Sequence, residues 1–283
     1  MRGAPAEVKR PGAGSAMETL GLIAGNGRLP FALARAARAA GFRVVAVGHV
    51  GETDPALEGE VDRLGWVRLG QLRRIAAELR GEGVGKALLA GGLRKASWFS
   101  GARPDLAALG LLAKLRARGD DGLLRAIADW FSEQGVEIVP PHGFVPGCFA
   151  AEGALAGPPA DDEALADARE GIRIARLLGA ADVGQTVVLR EGAVVAVEAM
   201  EGTDACIRRA GELVPGAVVV KCAKPGQDLR FDLPAVGPGT VAALAAAKAR
   251  LLALEAGATL ILDREELVRD AGRARISIVG IAG

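Results

Sequence analysis

The chain has 283 residues, half of them hydrophobic, and a formal net charge of +1. That length allows two domains of ordinary size with buried cores, and the interspersed acids and bases lack the basic face of a nucleic-acid binder. No apolar run approaches the ~20 residues of a membrane span, and MRGAPAEVKRPGAGSA lacks the apolar stretch of a secretory signal, so residues 1–16 read as a disordered extension ahead of a fold that starts at Met17.

From residue 17 to 145 the pattern alternates strand and helix. Leu20–Ala24 is a short apolar strand that ends in Gly25-Asn26-Gly27 and passes into a helix through FALARAARAA. Val44–Val47 predicts a second strand, Gln71–Arg80 an amphipathic helix, and Ala87–Ala90 a buried strand closed by Gly91-Gly92. Helices are expected over Leu106–Ala117 and Gly122–Gln134, with Gly119-Asp120-Asp121 supplying an N-cap. Val136–Val139 is a strand stopped by Pro140-Pro141. Repeated β-α-β units imply a Rossmann-like parallel sheet with ligands at the carboxyl ends of its strands.

The Pro- and Gly-rich residues 146–160 read as a linker, and residues 161–283 as a second, mixed α/β domain. Its first helix, Asp162–Leu178, has Asp161 and Asp162 as candidate caps. Thr186–Leu189 and Val194–Val197 form a hairpin about Glu191-Gly192. A helix from Asp204 to Ala210 and a strand over Ala217–Val220 lead into a charged segment. A helix over Val241–Ala256 ending at Gly257, a strand over Thr259–Leu262, a helix over Arg264–Asp270 and a strand over Ile276–Ile281 complete the chain. A ligand site between the two domains is expected.

Chemistry concentrates between Val194 and Val236, where Glu198, Glu201, Asp204, Asp228, Asp232, Lys221, Lys224 and Arg230 interrupt apolar runs. In Asp228-Leu229-Arg230-Phe231-Asp232-Leu233 the alternation is strict, which as a strand puts Asp228, Arg230 and Asp232 on one face. Pro225-Gly226 and Pro234 bound it. Two carboxylates flanking a guanidinium suit a divalent cation beside a phosphate; a solvated face with an internal ion pair has the same pattern. Glu198, Glu201 and Asp204 crowd a turn in which Thr203 or Asp204 starts a helix, and such acids repel unless a cation, or Lys221 and Lys224, sits among them. They form either a structural ion-pair network or a magnesium site.

Gly25-Asn26-Gly27 suits a phosphate at a helix N-terminus, or is a tight turn and nothing more. Pro30 stands where a third fingerprint glycine would fall, which disfavours a dinucleotide cofactor. Asp120 and Asp121 serve as a cap or as ligands. Cys148, Cys206 and Cys222 lack CxxC spacing and a nearby histidine, so they read as reduced thiols. With His49 and His142 as the whole histidine complement, a histidine-built zinc site is excluded.

The segments LGLIAGNGRLP, EAMEGTDA and KCAKPGQDLRFDLPAVG resemble the LpxI-type UDP-2,3-diacylglucosamine pyrophosphatases of lipid A biosynthesis in Gram-negative bacteria, from about Met17 to the C-terminus. The resemblance implies hydrolysis of the substrate diphosphate to UMP and 2,3-diacylglucosamine 1-phosphate (lipid X). It also implies Mg2+ as cofactor, with Mn2+ or another divalent cation able to substitute. Under it the catalytic set is Asp232, Arg230, Lys221 and Lys224, with Asp232 binding metal or positioning water and the bases meeting the diphosphate. Substrate contacts fall on Gly25, Asn26, Gly27, Gln185, Thr203, Gln227, Asp120 and Asp121, and metal ligands on Asp232, Asp228, Glu198 and Asp204. The partners expected are a lipid-linked nucleotide sugar and a transient contact with the cytoplasmic face of the inner membrane, with no nucleic acid and a homodimer left open. Two rivals are a non-catalytic nucleotide-sugar or lipid-binding protein and a nucleotide-sugar transferase or epimerase.

Overall fold

The structure, a computed structural model, describes residues 17–93, 104–114, 119–231 and 233–282. It divides into two compact units. The first runs to Val145 and also takes in Leu229–Phe231; the second holds Pro146–Asp228 and the residues after Phe231.

In the first unit, β1 (Thr19–Ala24), β2 (Arg43–His49), β3 (Arg63–Val67), β4 (Lys86–Ala90) and β5 (Glu137–Ile138) form one sheet in the order β3-β2-β1-β4-β5, parallel throughout. The helices are α1 (Leu29–Ala39), α2 (Leu72–Gly81), α3 (Leu106–Lys114) and α4 (Gly119–Glu133). In α2 the residues Leu72, Ile75, Ala76 and Leu79 recur at helical spacing and are the buried ones. They share a core with Ile23, Val45, Val47 and Phe131.

Two expectations change here. β3 is an additional strand whose only buried residue is Val67, so an edge position hid its apolar signal. The helix expected from Gly122 starts at Gly119, which puts Asp120 and Asp121 in its first turn and not at an N-cap; the side chains of both lie outside the described residues.

The glycine turn after β1 is stitched to the turn after β4. Gly25 N–H donates to Ala90 O at 2.7 Å and Asn26 N–H to Gly92 O at 2.8 Å. A Cβ on Gly25 would stand 2.3 Å from Gly92 O, whereas one on Gly27 (φ +87) meets nothing within 4 Å. We expect Gly25→Ala to cost about 3 kcal/mol through overpacking against backbone. Gly27→Ala should cost about 1–2 kcal/mol through left-handed strain alone. Urea midpoints of the two variants check this, and equal losses would remove the steric argument.

The second unit is built on six strands in the order β6-β13-β11-β9-β7-β8. In chain order its elements are β6 (Gly153–Ala156), α5 (Asp162–Ala180), β7 (Thr186–Arg190), β8 (Ala193–Val197), α6 (Thr203–Leu213), β9 (Val218–Lys221), β10 (Ala235–Val236), α7 (Pro238–Ala246), β11 (Leu251–Glu255), β12 (Leu260–Ile261), α8 (Arg264–Ala274) and β13 (Ser277–Ile281). β9, β11 and β13 run parallel, while β6, β7 and β8 each run antiparallel to a neighbour. β10 and β12 form a separate parallel pair.

Strand alternation sorts the residues onto two faces. Val218, Val220, Leu251 and Ala253 pack with Ala168, Ile172 and Ala175 of α5. Val219, Leu252 and Leu254 pack with Ile207 of α6, Leu244 of α7 and Leu267 of α8. Burying a Leu or Val side chain on either face contributes about 1.5–3 kcal/mol.

Local chemistry fixes the joints. Asp161 Oδ1 caps α5 by accepting from Ala164 N at 2.7 Å. Glu191 (φ 52) and Gly192 (φ 80) make the two-residue hairpin turn whose positive φ values match strand twist.

The helix expected over Val241–Ala256 proves to be α7 followed by β11. Lys248, at φ 52, breaks the helix, and the apolar run beyond it becomes a strand buried on both faces. Such a run has no period that separates strand from helix. Residues 146–160, expected as a linker, contain β6, which pairs with β13.

Candidate functional site

Three polar residues line up at one end of the second sheet. Lys221 closes β9 with Thr186 of β7 as its register partner, and Glu198, just past β8, donates its N–H to Thr186 O at 2.9 Å. All three lie on the face covered by α6. They are deeply buried, with relative exposures of 6% for Lys221, 8% for Glu198 and 1% for Thr186. Carboxyl ends of parallel strands are where open α/β sheets bind ligands.

Thr203 joins them. Its Oγ1 accepts from Lys221 Nζ at 2.7 Å and donates to Glu198 Oε1 at 3.0 Å, with Thr186 Oγ1 at 3.4 Å. One hydroxyl thus links Lys221 to Glu198. Glu198 Oε2 is buried and has no hydrogen-bond partner among the described residues. A buried carboxylate oxygen left this way is costly, and a cation or a donor is the natural remedy.

Gly202, at φ 81, is the N-cap of α6 and places Thr203 as the first helical residue, so Thr203 does not cap. Without a side-chain cap, the first amides of α6 are open to an anion. They border a cavity of about 460 Å3 whose walls include Thr203, Asp204, Arg208, Lys221 and Thr240. Glu201, also on the wall, is committed elsewhere. It accepts from Arg209 at 2.6 Å and from Ala199 N at 3.1 Å, and the Arg209 hydrogen bond holds its carboxyl below the usual range.

The segment after β9 is pinned from the opposite face. Glu255, at the end of β11, accepts from Arg176 Nη2 at 2.7 Å and from Ala223 N at 2.8 Å. Glu255 was not among the residues expected from sequence; its signal is a lone acid closing the apolar run LLALE. Lys224 N donates to Gln227 Oε1 at 2.7 Å, closing the Pro225-Gly226 turn, and Lys224 Nζ pairs with Asp182 at 2.6 Å. Gln227 Nε2 and Gln185 Oε1 are buried and lack hydrogen-bond partners among the described residues.

Asp228 is half-buried, and Leu229, Arg230 and Phe231 form a turn, not the expected strand. Among the described residues no strand pairs with them, and the Arg230 guanidinium sits over the Phe231 ring at 4.8 Å from its centroid. Asp232 lies outside the described residues. Of the residues predicted from sequence, Glu198, Thr203, Asp204 and Lys221 therefore come together; Gly25, Asn26 and Gly27 belong to the first unit. There Asn26 Nδ2 donates to Glu52 Oε2 at 2.7 Å, and burial holds the neighbouring His49 imidazole below its usual range.

Both buried thiols are inert as nucleophiles. Burial pushes Cys206 up to about 11 and Cys222 up to about 12. Among the described residues no three acids, histidines or cysteines form a metal-binding group. Magnesium itself needs only one or two carboxylates beside substrate oxygens.

Family models match both halves of the chain: the LpxI N-terminal domain over residues 19–148 and the LpxI C-terminal domain over residues 151–279. The chain belongs to the LpxI family. The cavity and its Lys221–Thr203–Glu198 bridge lie within the LpxI C-terminal domain, and the stitched glycine turn within the LpxI N-terminal domain. A curated relative, the UDP-2,3-diacylglucosamine pyrophosphatase LpxI of Caulobacter vibrioides, is 35% identical over 277 residues, covering 94% of this chain and 98% of its own. Among solved structures, the biotin carboxylase domain of Hydrogenobacter thermophilus 2-oxoglutarate carboxylase is similar at a TM-score of 0.29 and 15% identity, over 63% of this chain and 36% of that one. A second biotin carboxylase domain, of a thermophilic 2-oxoglutarate carboxylase, gives 0.30 and 15%, over 61% and 35%. Overlaps this slight carry no argument about function.

Proposed function

We propose that this LpxI-family protein hydrolyses the diphosphate of UDP-2,3-diacylglucosamine, releasing UMP and 2,3-diacylglucosamine 1-phosphate. The observation that carries the reading is a cavity bordered by uncapped helix amides, with Lys221 and Thr203 on its wall and Glu198 hydrogen-bonded to that threonine. The activity named for the Caulobacter relative supports it.

Lys221, Arg208 and the first amides of α6 supply the positive charge that a phosphate in this cavity needs. Glu198 Oε2 and Asp204 are the groups that would hold a divalent cation, and the orphaned, buried state of Oε2 fits that role. Magnesium, when bound, would polarise phosphoryl oxygens and neutralise the charge that builds as the anhydride breaks. Asp232 is assigned to the metal or to orienting the attacking water, and Arg230 and Lys224 to the diphosphate. Acids beside the phosphate site count against a non-catalytic carrier, which has no use for them without a metal. Among the described residues no helix is long and apolar enough to cross a membrane. The substrate's acyl chains bring a membrane face into play, and fully exposed Met200, beside Glu201, offers it an apolar contact.

The test is UMP release from UDP-2,3-diacylglucosamine with magnesium, repeated in excess chelator. Turnover is expected with magnesium and near-complete loss with chelator, reversed on adding Mg2+ or Mn2+. Undiminished release in chelator would remove the metal from the proposal, and no release under any condition would remove the reaction.

A further inference from the structure

We propose that Thr203 is a positioning residue whose hydroxyl turns Glu198 so that Oε2 is the atom presented to a divalent cation. The inference rests on the function proposed above and adds a role for a residue that sequence placed among the substrate contacts.

The direction of each hydrogen bond follows from chemistry. Lysine can only donate, so Thr203 Oγ1 accepts from Lys221 Nζ at 2.7 Å. The hydroxyl has one proton, and Glu198 Oε1 at 3.0 Å is the acceptor that takes it. Oε1 is thereby engaged, while Oε2 of the same buried carboxylate has no hydrogen-bond partner among the described residues.

Thr203 is also stiff. It is β-branched, which restricts its first side-chain torsion, and it sits in the first turn of α6 behind Gly202 at φ 81. The hydroxyl direction is therefore tied to the helix, and the helix to the core through Cys206, Ile207 and Ala210. Glu198, by contrast, follows the end of β8 and has three torsions to fix. One rigid donor on Oε1 is what selects its rotamer. Groups that orient a metal-binding carboxylate without touching the metal change metal affinity or activity by about 10–100-fold when removed.

The experiment compares T203V, which keeps the shape and deletes the hydroxyl, with T203S, which keeps the hydroxyl. Three quantities are read for each and for wild type: melting temperature, Mn2+ binding by electron paramagnetic resonance, and kcat and KM for UMP release. T203V is expected to bind Mn2+ about 10–100-fold more weakly and to lose kcat by a similar factor, with KM for the lipid substrate near wild type. T203S is expected to restore both. Wild-type Mn2+ affinity in T203V overturns the proposal. So does a raised KM with unchanged Mn2+ affinity, which would make Thr203 a substrate contact. So does a T203S that falls as far as T203V.

Should wild type bind no Mn2+ and turn over in chelator, the metal reading fails on its own. The positioning role falls with it, since no cation remains for Oε2 to meet, while UMP release itself would still stand for the proposed reaction. Should T203V prove unfolded, T203A takes its place under the same criteria.

Discussion

Lys221→Met is expected to slow UMP release by about 10^2–10^3-fold, the usual consequence of deleting one preorganised charged donor at a developing oxyanion. Lys221 is buried and closes β9 at the cavity wall, so no nearby solvent charge can stand in for it. The same substitution should destabilise the fold. It strips Thr203 of its donor and removes the lysine charge linked through that hydroxyl to the buried Glu198 carboxylate, and leaving such a buried polar group unsatisfied costs about 1–3 kcal/mol. The second variant separates the two effects. Lys221→Met combined with Glu198→Gln removes both charges, so much of the lost stability should return while activity stays low. Chemical denaturation and UMP release on both variants are the measurements. Full activity in Lys221→Met would end the assignment of Lys221 to the phosphate, and recovery of activity in the double variant would make its loss a folding effect.

Asp232→Asn is expected to lower kcat by about 10^2–10^4-fold, the range for removing a positioned acid–base group, with little change in melting temperature. Asparagine keeps the size and loses the charge, so a role in holding metal or orienting water is lost while packing is not. Uridine and acyl contacts do not depend on that charge, and an interaction confined to the transition state affects kcat more than KM. The comparison is kcat, KM and thermal midpoint against wild type. A variant that melts far earlier would make Asp232 structural, and one with near-normal kcat would remove it from the chemistry.

The fold was legible where periodicity and turn chemistry agreed. Asp161 before α5 and Glu191-Gly192 between β7 and β8 are local signals, and each does in the structure what its chemistry requires. Legibility failed where the signal depends on distant chain. The run AALAAAKARLLALEA has no period that separates strand from helix, and only pairing between β9 and β13 makes its second half the strand β11. Asp228 to Leu233 alternates like a strand, yet Leu229–Phe231 turn because a strand requires a neighbour to hydrogen-bond. At the site, the acids and lysines were visible as charges inside apolar runs. Their connection through Thr203 was not, because it depends on Glu198 and Lys221 flanking Thr186 across three strands.

The stitched turn of the first unit bears on how this sheet came to be used. A strand order that reverses at β1 ordinarily leaves its two turns splayed, and a nucleotide's diphosphate enters the gap. Here Gly25 and Asn26 have given their amides to Ala90 and Gly92, so the gap is closed by backbone. Restoring a glycine at Pro30 would complete the fingerprint in writing and still create no cradle for a dinucleotide. In this chain the turn is closed by two backbone hydrogen bonds, whatever residue stands at position 30.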